Sequence, residues 1–314
     1  MEILKKVSEE FSGMRLDKVS SMIFEDYSRS QLKKWILEGR ILLNNELASP
    51  RETVFTNDEI EINPISEIKT SWQPEDIDFE IIKEEKEYLI INKPSNLIMH
   101  PGAGCNKGTL ANGLLFKFPK LKNIPRAGIV HRLDKDTSGI ILVAKTEKFR
   151  NYFVNLLQER RVKKNYKACV VGSIIGSFEI NDPIGRDKNN RTKMSVRPDG
   201  KEAHSFVRLE ESYKNYSLLD ISIKTGRTHQ IRVHLNSKKL PIIGDKTYNP
   251  SKHIAKDTST DLADVIRNFP RQALHSYHLS FEDPCTKEML SFSAPLHEDM
   301  KNLINSLKKT YLKI

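Results

Sequence analysis

The sequence predicts an α+β protein: a large unit on a mixed, mostly antiparallel sheet, preceded by a small α/β unit. Three observations predict it. Short apolar, strand-like runs alternate with irregular segments from about residue 79 to residue 295. Before them, two helix-period segments are followed by short strands. Between the two regions, residues 63–78 (NPISEIKTSWQPEDID) hold two prolines, little periodicity and no apolar run, as a linker does. The first unit is therefore placed at residues 1–70 and the second at 79–314.

In chain order, Leu16, Val19 and Ile23 recur at helical spacing and predict a first helix over 15–25. Ser28 starts a second, with Gln31 completing a capping box, Leu32, Trp35 and Ile36 as its apolar face, and Gly39 as its end. Arg29 and Lys33 lie one turn apart on it, with Lys34 and Arg40 nearby, which gives one basic edge. Strands follow at Ile41–Leu43, a turn at Asn44-Asn45, and Val54-Phe55 running on to Ile60–Ile62. In the second unit, strands are predicted at Phe79–Ile82, Tyr88–Asn92, Gly128–Val130 and Ile140–Ala144. Near the end, Met300, Leu303, Ile304 and Leu307 repeat at helical spacing.

Composition narrows the function classes. No segment approaches the ~18 consecutive apolar residues of a membrane span, and the first ten residues, MEILKKVSEE, lack the apolar core of a secretory signal. Cys105, Cys169 and Cys285 stand far apart, so neither a disulfide framework nor a zinc site is expected, and a reducing, cytoplasmic setting fits. The net charge of +10 points to a polyanionic partner. Its distribution sharpens that. Residues 1–75 carry 10 basic and 14 acidic residues, whereas 126–167 carry 11 and 4, and 186–208 carry 7 and 3. A merely solvated surface would spread the surplus more evenly.

Three stretches carry candidate chemistry. In GIVHRLDKDTSGIILVAK (128–145), charged residues sit between two apolar runs, where desolvation is costly unless they are paired. Such a group is either an ion-paired turn or an active site. Asp136, directly before the turn-forming Thr137-Ser138-Gly139, reads as the structural member, which leaves Asp134. In KTGRTHQIRVHL (224–235), Thr228 is a candidate helix cap, and Arg227, Ile231 and Leu235 would share one helical face. An arginine pointing inward there would want a carboxylate. His229 and His234 are five apart, the wrong spacing for two metal ligands on one helix face. In RRVKKNYKACVVG (160–172), Tyr166, Ala168 and Val170 alternate onto one strand face. A core tyrosine is the ordinary reading, but an aromatic beside clustered Lys and Arg also suits base stacking and phosphate contact.

Two resemblances connect these pieces. The run MRLDKVSSMIFEDYSRSQLKKWILEGRILLNNE resembles the S4-type RNA-binding domain, whose second helix and following loop face RNA. That implies RNA contacts by Arg29, Ser30, Lys33, Lys34 and Arg40. Then INKPSNLIMHPGAG (91–104), the HRLDKDTSG stretch, VKKNYKACVVG, GRTHQIRVHL and IIGDKTY (242–248) resemble, in order, the motifs of the RluA-type pseudouridine synthases. HPGAG and RQALHSYHLSF (271–281) make the RluD-like branch, which modifies large-subunit ribosomal RNA, the nearest likeness.

The resemblance implies the pseudouridine synthase fold with Asp134 as the catalytic aspartate. It implies that Tyr166 stacks on the target base and helps in proton removal, and that Arg227 forms an ion pair with Asp134, with Arg232 the weaker candidate for that pair. Arg132 would contact the RNA as the base leaves the helix, and Ile231 would wall the base. Isomerising uridine breaks the N-glycosidic bond and rejoins the uracil through carbon, with no redox change, so no cofactor or metal is expected. The base must be flipped out of the RNA at a cost of a few kcal/mol. RNA is the expected partner, a membrane is not, and a monomer is expected. Three rivals remain: a catalytically silent ribosome assembly factor, a synthase acting on transfer RNA, and a glycosidic hydrolase. The last would need a carboxylate pair, and Asp134 and Asp136 stand too close in sequence to make one.

Overall fold

A computed structural model describes residues 3–24, 27, 29–64, 72–102, 104–190 and 192–311. The N-terminal unit begins with β1 (Ile3–Lys6), α1 (Leu16–Ile23) and α2 (Arg29–Leu37), then β2 (Ile41–Leu43), β3 (Glu46–Leu47) and β4 (Glu59–Ile62). These strands form one sheet in the order β1-β4-β2-β3. Its core is Leu16 and Val19 of α1 and Leu32, Trp35 and Ile36 of α2, packed on Ile41, Val54, Ile60 and Ile62. The helical periodicity therefore located both helices, and Gly39, at φ 69°, ends the second. Ser28 and its predicted cap lie outside the described residues.

Val54-Phe55 is not a strand. Its neighbour Thr53 makes one bridge to Arg15, and Asn57, at φ 71°, turns the chain before β4 begins. Asn44 and Asn45 both have positive φ (52° and 66°), as a tight hairpin between β2 and β3 requires.

The second unit contains β5 (Glu80–Glu84), β6 (Tyr88–Lys93), α3 (Leu110–Lys117), β7 (Ser138–Ala144), α4 (Glu147–Gln158), β8 (Lys163–Val171), β9 (Ser177–Ile180), β10 (Ile184–Arg186) and β11 (Met194–Val196). It continues with β12 (Ser205–Tyr213), β13 (Tyr216–Ile223), α5 (Gln230–Ser237), α6 (Thr260–Asn268), β14 (Leu274–Glu282), β15 (Met289–Ser293) and α7 (Glu298–Tyr311). Among the described residues, nine strands form one sheet in the order β5-β6-β7-β14-β8-β13-β12-β9, with β15 pairing along β14. Every pairing is antiparallel except β7 with β14. The chain is thus α+β with the mixed, mostly antiparallel sheet that its patterning predicts.

Alternation explains why β7 reads as an unbroken apolar run. Ile140, Leu142 and Ala144 face a layer with Phe149 and Phe153 of α4, while Ile141 and Val143 face the opposite layer. The parallel contact with β14 needs close backbone approach. Gly139 has φ 114°, and a Cβ on it would lie 2.1 Å from the Ser276 carbonyl oxygen. The four apolar residues predicted at the C-terminus are the buried face of α7.

The run Gly128–Val130 is not a strand. Arg126, Ala127 and Gly128 have φ of 57°, 51° and 78°, and only Ile129 bridges β7, at Val143. Beyond it a side chain replaces the backbone: Leu142 N–H donates to His131 Nε2 at 2.9 Å. The turn also lies two residues earlier than predicted. It spans Lys135-Asp136 and is closed by Thr137 N–H donating to the Asp134 carbonyl at 3.1 Å, so Ser138 and Gly139 already belong to β7.

Candidate active site

The HRLD segment leaves Ile129, passes His131 and turns at Lys135-Asp136 before entering β7. Two buried cations hold the turn by its carbonyls. Lys93 Nζ, fully buried at the end of β6, donates to Lys135 O at 3.0 Å and to Pro94 O and Leu97 O at 2.8 and 2.9 Å. Burial lowers the Lys93 pKa to about 7. Arg271 Nη1 donates to Asp136 O at 3.2 Å, while its Nε and Nη2 bind Asp299 of α7 at 2.6 and 2.8 Å. Burial also pushes His131 down to about 3, which keeps its ring neutral and able to accept from β7. The structural role assigned to Asp136 therefore belongs to its backbone, and the scaffold fixes where Asp134 starts.

Asp134 is partly exposed into a cavity of about 470 Å³ lined by Tyr166, Arg132, Arg227, Ile231 and Arg232, among others. The candidates of the second unit thus converge on one site. Their pairing differs from expectation in one respect. Arg232 Nη1, not Arg227, contacts Asp134, at 3.0 Å. Arg232 Nε and Nη2 bind Asp245 at 2.7 and 2.8 Å in a two-pronged contact.

The reason lies in where the helix begins. α5 starts at Gln230, after His229 in a left-handed conformation (φ 57°), so Arg227 and Thr228 precede it and Thr228 caps nothing. Arg227 instead donates from Nε to Glu202 O at 2.8 Å and from its backbone N–H to Gln230 Oε1 at 3.0 Å. Arg232 is then the inward arginine on the first turn and is only 5 % exposed.

Asp245 is the partner that the sequence reading missed. It is fully buried and accepts backbone N–H groups of Thr247 and Tyr248 at 2.9 and 3.0 Å. Burial opposes its charge, but the Arg232 hydrogen bonds and charge outweigh burial and hold its pKa below the ordinary carboxylate value. Burial likewise opposes the Arg232 charge, and the two carboxylates outweigh it and raise that pKa. The signal available was an acid two residues after the apolar pair Ile242-Ile243, inside the quoted IIGDKTY motif.

His229 and His234 face different partners. His229 Nδ1 lies 2.9 Å from Tyr248 Oη, and its Nε2 lies 3.9 Å from Asp134. His234 sits between Ser205 Oγ and Asp182 O, at 2.9 Å from each. Tyr166 leaves β8 toward the cavity and is 6 % exposed. Burial pushes its pKa to about 12, with the Asp134 charge adding and a hydrogen bond to Ser276 opposing, so the phenol stays protonated at neutral pH.

On the N-terminal unit the basic edge is less free than its sequence suggests. Arg29 Nη2 and Nε bind Asp17 at 2.8 and 3.2 Å, and Arg15 binds the same carboxylate at 3.0 and 3.1 Å. Lys34 and Arg40 both approach Glu38, at 3.5 and 3.4 Å, and Ser30 is exposed on α2. Lys33 is exposed and has no ion pair among the described residues.

Known proteins resemble this chain along nearly all its length. Residues 87–237 match the family model for RNA pseudouridylate synthase, and residues 14–60 match the S4 domain. A protein of Vibrio parahaemolyticus called ribosomal large subunit pseudouridine synthase D is 41% identical over 298 residues, which is 95% of this chain and 92% of that protein. A protein of the same name in Haemophilus influenzae is 42% identical over 308 residues, covering 98% and 95%. Human RNA pseudouridylate synthase domain containing 4 shares the fold, with a TM-score of 0.58 at 23% identity over 73% of this chain and 92% of that one.

Proposed function

We propose that this chain, which belongs to the family of RNA pseudouridylate synthases and is therefore an isomerase, converts uridine to pseudouridine in large-subunit ribosomal RNA. The substrate reading rests on relatives named for that RNA at about 40% identity over almost the whole chain.

One observation carries the mechanism: Asp134 opens into the cavity with its counter-cation locked from behind by a buried acid. The two-pronged Asp245 contact fixes the Arg232 guanidinium plane and leaves Nη1 for Asp134. Two carboxylates and one guanidinium leave a net negative charge, and Asp134 is the member that faces the cavity. An anion is thus presented without being buried unpaired.

In this reading the uridine flips out of the RNA and enters the cavity. Tyr166 offers a ring face for stacking, and Ile231 walls the base. Asp134 supports cleavage of the glycosidic bond and its re-formation through carbon. Because burial holds the Tyr166 phenol protonated in the free protein, stacking on the base that enters is its principal part. Arg132 and Arg227 contact the RNA at the cavity wall. The S4-type unit adds Lys33, Lys34 and Arg40 on the edge and end of α2. Arg29 serves that edge mainly by holding Asp17.

The test is site mapping. The gene is deleted, and pseudouridines in ribosomal and transfer RNA are mapped by carbodiimide-blocked reverse transcription. Rescue is attempted with wild type and with Asp134→Asn. Specific large-subunit stops should vanish, and only wild type should restore them. Loss confined to transfer RNA would overturn the substrate. Rescue by Asp134→Asn would overturn the mechanism, and no change in any RNA would favour the silent assembly factor.

A further inference from the structure

The cavity holds a second buried charge that the protein itself does not neutralise. Lys164 stands two residues before Tyr166 in β8, so both side chains leave the same face of the strand. It is 8 % exposed. Among the described residues no carboxylate, carbonyl or hydroxyl lies within hydrogen-bonding distance of its ammonium. Other buried cations nearby are all engaged: Lys93 by three carbonyls, Arg232 by Asp134 and Asp245, and Arg271 by Asp299. A lone buried ammonium is unfavourable, and burial alone lowers the Lys164 pKa to about 8, which still leaves it mainly protonated at neutral pH.

The ammonium is not walled in. It lines the cavity beneath the 224–227 loop, where a Cβ added at Gly226 would lie 3.7 Å from Nζ. It is also set apart from the catalytic carboxylate. Asp134 pairs with Arg232 at 3.0 Å and approaches His229 at 3.9 Å, and among the described residues no ion pair joins it to Lys164. The site therefore has two ends, with an anion beside Arg232 and a cation beneath Gly226. An uncharged uracil offers carbonyls that would only partly offset a desolvated ammonium. A phosphodiester brings a full charge and a charge-assisted hydrogen bond.

We infer that Lys164 binds a non-bridging oxygen of a phosphodiester next to the flipped uridine and so sets the nucleotide's position relative to Asp134. The inference rests on the reading of this cavity as the uridine site. Exposed cations such as Arg132 hold backbone at the surface. Lys164 would take the phosphate that follows the flipped nucleotide inward, and would admit RNA only when the base is extruded.

The experiment uses the full-length protein and a large-subunit RNA fragment carrying a uridine whose modification depends on Asp134. Lys164→Gln, Lys164→Met and Lys164→Arg are compared in single-turnover assays. The RNAs are unmodified or carry one methylphosphonate 5′ or 3′ of the target. Lys164→Gln should slow modification about tenfold or more, the scale of one lost charge-assisted contact, with Lys164→Arg partly restoring it. One methylphosphonate should slow wild type by a similar factor and leave Lys164→Gln unaffected. RNA binding to Asp134→Asn should lose roughly 0.7–0.9 of its log-log salt slope when Lys164→Gln is added.

A merely structural lysine would lower the thermal midpoint when replaced by Met, whereas removing an uncompensated buried charge should leave the midpoint unchanged or raise it. Wild-type rates in Lys164→Gln, or losses that multiply with every methylphosphonate, would overturn the inference while leaving the enzyme reading intact. Failure of wild type on every RNA would instead overturn the reading of the cavity itself.

Discussion

Asp134 and Arg232 form a contact that depends on a third residue, and this sets what substitution at each arginine should do. Asp245 occupies two nitrogens of the Arg232 guanidinium and leaves the third for Asp134. A lysine has a single nitrogen and cannot hold both acids in this geometry. Arg232→Lys should therefore fold but lose about a hundredfold in kcat, the scale of a displaced reacting group. Arg232→Gln, which leaves Asp245 buried without a counter-charge, should also lose about 3–5 kcal/mol of stability. Arg227→Gln should keep kcat within a few-fold and raise KM, because Arg227 touches the Glu202 carbonyl and the cavity wall, not Asp134. Steady-state kinetics with urea unfolding on the three variants separate these outcomes; a kcat collapse confined to Arg227→Gln would reverse the assignment. The candidate site was largely legible at this scale, since Asp134, Tyr166, Arg132, Arg227, Ile231 and Arg232 all reach one cavity. The misplaced ion pair has a physical cause. Which arginine points inward depends on where α5 starts, and a left-handed His229 is not a signal that spacing reveals. The alternation that sets Tyr166, Ala168 and Val170 on one face extends to Lys164, two residues before Tyr166; what a run of basic residues does not show is which of them lacks an acid.

Elements with an apolar face were only partly visible: α4, which buries Phe149, Phe153 and Leu156, and α6, which buries Leu262 and Ile266, fall inside the stretch that reads as short strands alternating with irregular segments. The periodicities of α1, α2 and α7 placed their cores. Prediction failed where a side chain does a strand's work, as His131 does on β7, and where a short β-like pair such as Val54-Phe55 makes no ladder, with Val54 buried and Phe55 exposed. For α2 the distinction between packing and RNA contact is testable. Asp17 is only 3 % exposed, and although burial opposes its charge, hydrogen bonds from Arg29 and Arg15 outweigh burial and hold its pKa below the ordinary 3.8. Arg29→Ala should lower unfolding stability by about 1 kcal/mol, a modest loss because the arginine is half exposed and Arg15 remains. Lys33→Ala should change stability by less than about 0.5 kcal/mol. If α2 faces RNA, however, it should reduce the log-log salt slope of RNA binding by roughly 0.7–0.9. Thermal unfolding and filter binding across a salt series distinguish the two residues, and an unchanged slope in Lys33→Ala would remove this edge from the RNA interface.

Across the whole molecule, topology was the part the sequence could not show. β14 begins some 130 residues after β7 ends, yet inserts between β7 and β8 and joins β7 in parallel. No local pattern encodes a pairing at that separation. The insertion seats His275 against Ser138 Oγ at 2.9 Å, beside His297. With His131 against β7 and His234 beneath β12, the sheet thus collects histidines that burial keeps neutral. His131 and His275 are pushed from an ordinary 6.5 to about 3 and about 4. A histidine whose folded pKa is lowered binds its proton more readily in the unfolded chain. Its contribution to stability is therefore intact above pH 6.5 and is lost as pH falls toward the folded value. At pH 5 each of these two should remove about 2 kcal/mol relative to pH 7. The buried or half-buried carboxylates with lowered pKa, such as Asp17, Asp220, Asp245 and Asp299, start from 3.8, and the lowered glutamates Glu202 and Glu211 start from 4.5, so most of their losses fall below about pH 4.5. The window between pH 6.5 and 4.5 therefore belongs to the histidines. Urea midpoints taken at half-unit steps should fall steeply through that window. His131→Phe should make the fall shallower even if it lowers the midpoint at pH 7, since a ring that cannot take a proton has none to exclude. A midpoint flat to pH 4.5 would mean that the sheet opens enough at these positions to let the protons in while still folded.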